Sequence, residues 1–161
     1  IGCASLGKKL DGWEGLRGHE TIAVLPFKDH ISDDPDDSKD TGAICQRFMA
    51  QALLEDAGIR AKVYDPASRD SRKLLRSDQA ISMGRKLGVQ YVIYGDCTEF
   101  YRVAPFTFRV DRAGMRVWMV RVQDGKLVFT ASDTRRTDDN LEQPEDAIEQ
   151  IAEEMVEGMK K

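Results

Sequence analysis

Two stretches of helical periodicity, each closed by a glycine and flanked by strand-like runs, constrain this chain more than any other feature. The first runs from Thr41 or Gly42 to Ala57, with Ile44, Cys45, Phe48, Met49, Ala52 and Leu53 on one stripe and Gly58 just beyond. That i, i+3, i+4 spacing marks an amphipathic helix, stopped by a residue suited to a left-handed cap. Asp40 or Thr41 is the expected N-cap. The second begins at Ser77 as its cap, turns Ala80, Ile81, Gly84 and Leu87 inward and stops at Gly88. Around them lie three strand patterns. Glu20–Phe27 is short and apolar with an exit at Pro26, Ile59–Tyr64 alternates weakly, and Val89–Phe100 is long.

A meander follows. Phe108–Val122 and Lys126–Arg136 read as a hairpin turning at Asp124-Gly125. A bend is expected at Gly114, with Val110, Val117 and Met119 on one side. Pro144 opens a last helix, and Glu145 and Asp146 suit its N-terminus through the macrodipole. Its apolar face is Ile148, Ile151, Ala152, Met155, Val156 and Met159. The order β-α-β-α-β-β-β-α predicts an α/β (α+β) fold, a mixed sheet in two or three layers with helices packed on it. The chain of 161 residues is long enough for one such domain over residues 20–161. Residues 68–75 are expected as a short basic helix. Over residues 4–19, Gly7, Gly12, Gly15 and Gly18 argue against a helix and for a flexible tether. Leu6, Leu10, Trp13 and Leu16 in that stretch are either incidental hydrophobes or a segment that packs on lipid or on a neighbouring subunit.

Several function classes are disfavoured. The charge sum is −4, from 24 Lys and Arg against 28 Asp and Glu, with no basic block of the kind that neutralises phosphates, so nucleic acid is not an expected partner. No apolar run approaches the roughly 20 residues of a spanning helix. The only histidines are His19 and His30. No H-E-x-x-H, G-x-S-x-G, P-loop or G-x-G-x-x-G pattern occurs. No catalytic residue, metal ligand set or cofactor is therefore expected, and the chain is read as a non-enzyme. Cys3, Cys45 and Cys97 form no C-x-x-C. Cys45 and Cys97 read either as buried thiols or as a disulfide, whose geometry the sequence does not supply.

Two segments remain for function. Asp29–Asp40 carries six aspartates against one lysine. It lacks the ligand register and central glycine of an EF-hand, so it reads as a solvated loop, as a surface that draws a cationic partner, or as a calcium site. Phe100–Phe108 sets four aromatics around Pro105. These read as core and edge aromatics, or as a loop touching membrane or partner.

Ile1-Gly2-Cys3-Ala4-Ser5 resembles the end of a bacterial lipoprotein signal. The resemblance implies removal of Ile1 and Gly2, acylation of Cys3 and, with Ala4 in place of Asp, sorting to the outer membrane. T-I-A-V-L-P-F at 21–27, G-V-Q-Y-V-I-Y-G-D-C-T-E-F at 88–100 and R-V-W-M-V-R-V-Q-D-G-K-L-V-F at 116–129 resemble, in that order, motifs of the TolB-N/CsgG-like lipoprotein superfamily. Short connections and a short tether are most similar to its PelC-type polysaccharide-export branch. They are less similar to the pore-forming CsgG branch or the long-tethered LpoB branch. The resemblance implies a lipid-anchored protein on the periplasmic face of the outer membrane. It implies a homo-oligomeric ring, an outer-membrane porin as partner and a cationic polysaccharide as cargo. An LpoB-like activator of a peptidoglycan synthase is the alternative. On this reading Asp33, Asp34, Asp36 and Asp37 are the expected polymer-guiding surface. Trp13, Phe106 and Phe108 are expected to touch membrane or a neighbouring subunit.

Overall fold

In a computed structural model, which describes residues 6–31, 40–101, 111–136 and 143–161, the apolar run after Thr21 becomes an inner strand of a six-stranded sheet. The elements are β1 (Lys8–Lys9), β2 (Ile22–Lys28), α1 (Thr41–Ala57), β3 (Lys62–Val63), α2 (Ser77–Leu87), β4 (Tyr91–Tyr101), β5 (Arg112–Arg121), β6 (Leu127–Arg136) and α3 (Pro144–Met159). Their order across the sheet is β1-β6-β5-β4-β2-β3. β2 runs parallel to β3 and β4, and the other pairs are antiparallel. The β2–β4 register slips between Val24 and Phe27, where Pro26 has no N–H for the ladder.

Alternation on the strands sorts two cores. Ile22, Val24, Ile93, Cys97, Met115, Val117 and Met119 face α1 and α3. Ala23, Leu25, Val92, Tyr94 and Val120 face the opposite side, where α2 covers part of the sheet. A Cβ at Gly84 of α2 would press on Val92 and Val122, so glycine brings this helix onto the strands. The result is the expected mixed sheet, in three layers.

Both crossover helices end as their glycines predict, with Gly58 and Gly88 at φ 68° and 67°. The hairpin turns at Gly125, φ 71°, and Val117 and Met119 share one face. Pro144 starts α3, where the Gln143 N–H donates to Asp146 at 2.8 Å. Ser77, expected as a cap, is instead the first helical residue of α2. The cap position is Arg76, whose N–H donates to Gln79. Cys45 and Cys97 are buried and both free.

Three expectations are corrected. The strand over Ile59–Tyr64 shrinks to Lys62–Val63. Residues 68–75 form turns, not a helix, because the Asp70 side chain accepts the Arg72 N–H at 3.0 Å, a local bond that competes with helix. The expected tether is, from Leu6 on, part of the fold. Lys8 and Lys9 pair with Thr130 and Phe129. The Leu16 N–H donates to the Met159 carbonyl at 2.7 Å, Lys161 donates back to Leu16 at 3.0 Å, and Leu16 is buried. Gly15, at φ 110°, lies where a Cβ would meet the backbone of Met159–Lys161. Glycine serves close approach here, rather than flexibility. Cys3 lies outside the described residues.

Candidate functional site

β2 and β4 run parallel and both deliver their chain ends to one end of the sheet. There the sequence leaves its two unassigned segments. After Lys28 the chain turns into Asp29 and His30, both buried. The Asp29 carboxylate accepts the N–H of Gly42 at 2.8 Å, and the His30 N–H donates to Thr41 Oγ1 at 2.7 Å. These two bonds clasp the base of the acidic loop across 11 to 13 residues. Neither Asp40 nor Thr41 is the side-chain cap expected of it. Asp40 occupies the N-cap position of α1 at φ 61° without a side-chain bond, and Asp29 serves the helix N-terminus from outside. Gly42 is required at the clasp, since a Cβ there would overlap the Phe27 carbonyl.

The His30 ring packs edge-on against Tyr101, centroids 5.0 Å apart. Tyr101 ends β4, and the aromatic segment continues from it. The roots of the acidic loop and the aromatic segment therefore touch, and Ile31 and Tyr101 beside that contact are 61% and 42% exposed. Asp33, Asp34, Asp36, Asp37, Phe106 and Phe108 themselves lie outside the described residues, as does Val110.

Next to this end, on the face away from α1 and α3, stands a ladder of side chains. Arg116 grips Asp96 with two bonds, Nε–Oδ1 3.2 Å and Nη2–Oδ2 2.7 Å. Its guanidinium lies 4.6 Å over the Trp118 ring. Trp118 stacks on Tyr94 at 5.7 Å, and burial pushes the Tyr94 hydroxyl pKa up. The bidentate pair offsets the cost of burying the Asp96 carboxylate, and the cation-π contact adds to it. The sequence reading missed this ladder, as it did the His30–Tyr101 contact. The signal lay in strand alternation, which puts Asp96 opposite in sense to Ile93 and Cys97, and Arg116 level with it in the neighbouring strand.

Trp13, expected at a membrane or subunit contact, packs half-buried on the domain's own sheet. Its Nε1 donates to the Tyr91 hydroxyl at 3.3 Å, and its ring meets Tyr91 at 5.9 Å and Phe129 at 6.4 Å. It borders an open cleft of about 330 Å³ with Arg17, His19, Glu20, Gln90 and Arg121. Most polar groups of the cleft already have partners within the fold. Burial raises the Glu20 carboxyl pKa, but backbone N–H groups from Arg17 to Glu20 outweigh it and hold it low. Arg121 is held by Asp124 and Asp11. Among the described residues no group of three or more His, Cys, Asp or Glu side chains is placed to hold a metal. No helix among them is long and apolar enough to cross a membrane.

No family model matches the chain, and no curated protein sequence does. Solved structures do. A PelC dodecamer from Paraburkholderia phytofirmans superposes with a TM-score of 0.71 at 17% identity, covering 96% of this chain and 97% of that one. Lipoprotein GNA1162 from Neisseria meningitidis gives 0.53 at 17%, over 86% and 96% of the two chains. The LpoB C-terminal domain from Escherichia coli gives 0.51 at 14%, over 80% and 88%. At such identities the likeness is one of fold.

Proposed function

We propose that this chain is the folded part of an outer-membrane lipoprotein, held at the periplasmic face through an acylated Cys3. In this reading it assembles into a ring and assists export of a cationic polysaccharide through an outer-membrane porin. The observation that carries the reading is the fold's match to PelC along nearly the whole of both chains, a protein solved as a dodecamer. Head-to-tail contacts that close make rings. A ring repeats each acidic loop around one mouth and focuses its field there. The clasp at Asp29, His30, Thr41 and Gly42 supports this reading, because it fixes where the loop leaves the body. The TolB-N/CsgG-like membership rests on the sequence motifs and belongs to the same proposal.

The test is retention on an immobilised cationic amino-sugar polymer, partly deacetylated chitin. Wild type should be retained at low salt and released as salt screens the contact. Asp33, Asp34, Asp36 and Asp37 all changed to Asn should abolish most of the retention. Equal retention of both proteins would overturn the guiding role. Stimulation of glycan polymerisation by a purified peptidoglycan synthase, without polymer retention, would replace the reading with an LpoB-like one.

A further inference from the structure

Charge is divided across the sheet. α1 and α3 pack together on one face and carry eight carboxylates between them against a single basic residue, Arg47. α2 packs on the other face. From Arg72 through the end of α2 the chain carries five basic residues against one carboxylate, Asp78.

Neither surface is neutralised by its own fold. On the acidic side Glu154 and Glu157 pair with Arg135 and Lys160, but Asp56, Glu149 and Glu153 make no ion pair among the described residues. Glu149 and Glu153 stand one turn apart on α3, a like-charge spacing that costs a helix. Glu55 and Asp56 occupy the last turn of α1, where the macrodipole favours cations and no basic residue is present. The Asp56 Oδ2 is buried without a hydrogen bond. Leu54, 46% exposed, precedes them on the same helix. On the basic side Asp78 takes Arg76. Arg72, Lys73, Arg85 and Lys86 are exposed and make no ion pair among the described residues. Lys62 of β3 donates to the Leu87 carbonyl at 3.0 Å, which brings a further cation to the C-terminus of α2.

We propose that the acidic face of α1 and α3 in one copy docks on the basic flank of α2 in the next copy, as the head-to-tail contact of the ring. This rests on the ring reading above and names its contact. The two surfaces lie on opposite faces of the sheet, so the carboxylates of one cannot reach the cations of the other within a chain, whereas those of a second copy can. Two different patches meeting make a heterologous contact, the kind that a ring requires. Either face against its own kind would repel, so charge also selects the head-to-tail arrangement. Leu54 supplies an apolar contact inside the charged rim.

The experiment is mass photometry of the acylated protein on supported bilayers. One variant reverses the acidic face, Glu149→Lys with Glu153→Lys. A second reverses the basic flank, Arg85→Glu with Lys86→Glu. A third combines all four changes. Wild type should form the ring, and raised salt should weaken it. Each single-face variant should lose the ring and remain monomeric, since like charges then meet at the contact. The combined variant, in which the two faces exchange sign, should regain a ring of the wild-type subunit number. That recovery also shows that the reversed helices fold, and thermal unfolding checks each variant separately. Carbodiimide coupling of a mixture of isotope-labelled and unlabelled wild type should join Lys73 or Lys86 of one copy to a carboxylate of α1 or α3 in another. A ring of unchanged size from either single-face variant would overturn the contact and leave the ring reading standing. A folded combined variant that assembles no better than the single-face ones would do the same. Wild type that stays monomeric at every surface density would overturn the ring reading and the contact together.

Discussion

Replacing Asp29 by alanine should destabilise the protein although the residue lies outside every helix and strand. Its carboxylate accepts the Gly42 N–H at 2.8 Å in a buried setting. That N–H belongs to the first turn of α1, where backbone donors have no partner within the helix, and Asp40 at the cap position offers no side-chain bond. Loss of a helix cap costs about 0.5–2 kcal/mol, and a buried donor left unsatisfied costs about 1–3 kcal/mol. The two estimates describe one event, so about 2 kcal/mol is the expectation. For a chain of this length that lowers Tm by about 4–8 °C. Asp29→Asn keeps an acceptor oxygen and should recover most of the loss. Thermal unfolding by circular dichroism gives the Tm, and amide exchange at Gly42 should speed up in the alanine variant. Because Asp29 and Thr41 close the same clasp, Thr41→Ala combined with Asp29→Ala should depart from additivity by 0.5 kcal/mol or more, an order-of-magnitude expectation for neighbours sharing one network. A Tm within 1 °C of wild type (roughly the scatter set against that loss), or equal losses for Ala and Asn, would refute the assignment of Asp29 as the remote cap.

Leu16→Ala should cost about 2–4 kcal/mol by large-to-small truncation in a core, as read from urea unfolding. A loss near zero would return residues 6–16 to the status of a tether. Gly95→Ala places a methyl group against the Arg116 carbonyl and the Phe27 ring and should cost at least about 1–3 kcal/mol; a Tm unchanged from wild type would show that β4 and β5 part easily there. Glu153 has its pKa raised by burial, and then by the charges of Asp56, Glu149, Glu55 and Glu154. Its ionised form is thus disfavoured in the fold, which destabilises the protein above the folded pKa and ceases to do so below the ordinary value of 4.5. Glu153→Gln should therefore raise Tm at pH 7, and the gain should shrink as pH falls towards 4; a gain independent of pH would assign it to another cause.

The legible parts of the fold were those set by local chemistry. Gly58, Gly88, Asp124-Gly125 and Pro144 mark element ends through φ preference alone, and the helix stripes and strand alternation need only neighbours in sequence. What was not legible depends on distant contacts. The glycines at 7 and 15 look like flexibility in sequence, and only the proximity of Phe129 and Met159 turns them into sites of close packing. The true cap of α1 lies 13 residues upstream, beyond any capping pattern. At the candidate site, the charge of the acidic loop was plain. The His30–Tyr101 contact that joins it to the aromatic segment was not, because it needs the parallel pairing of β2 with β4.

On the proposed reading this domain works as a closed ring at a membrane. Mass photometry of the Cys3-acylated protein on supported bilayers measures that directly. A single discrete species of many subunits is expected, with its mass an integral multiple of the monomer and no growth beyond it. Monomers at every surface density, or an open ladder of sizes without a terminal species, would contradict it.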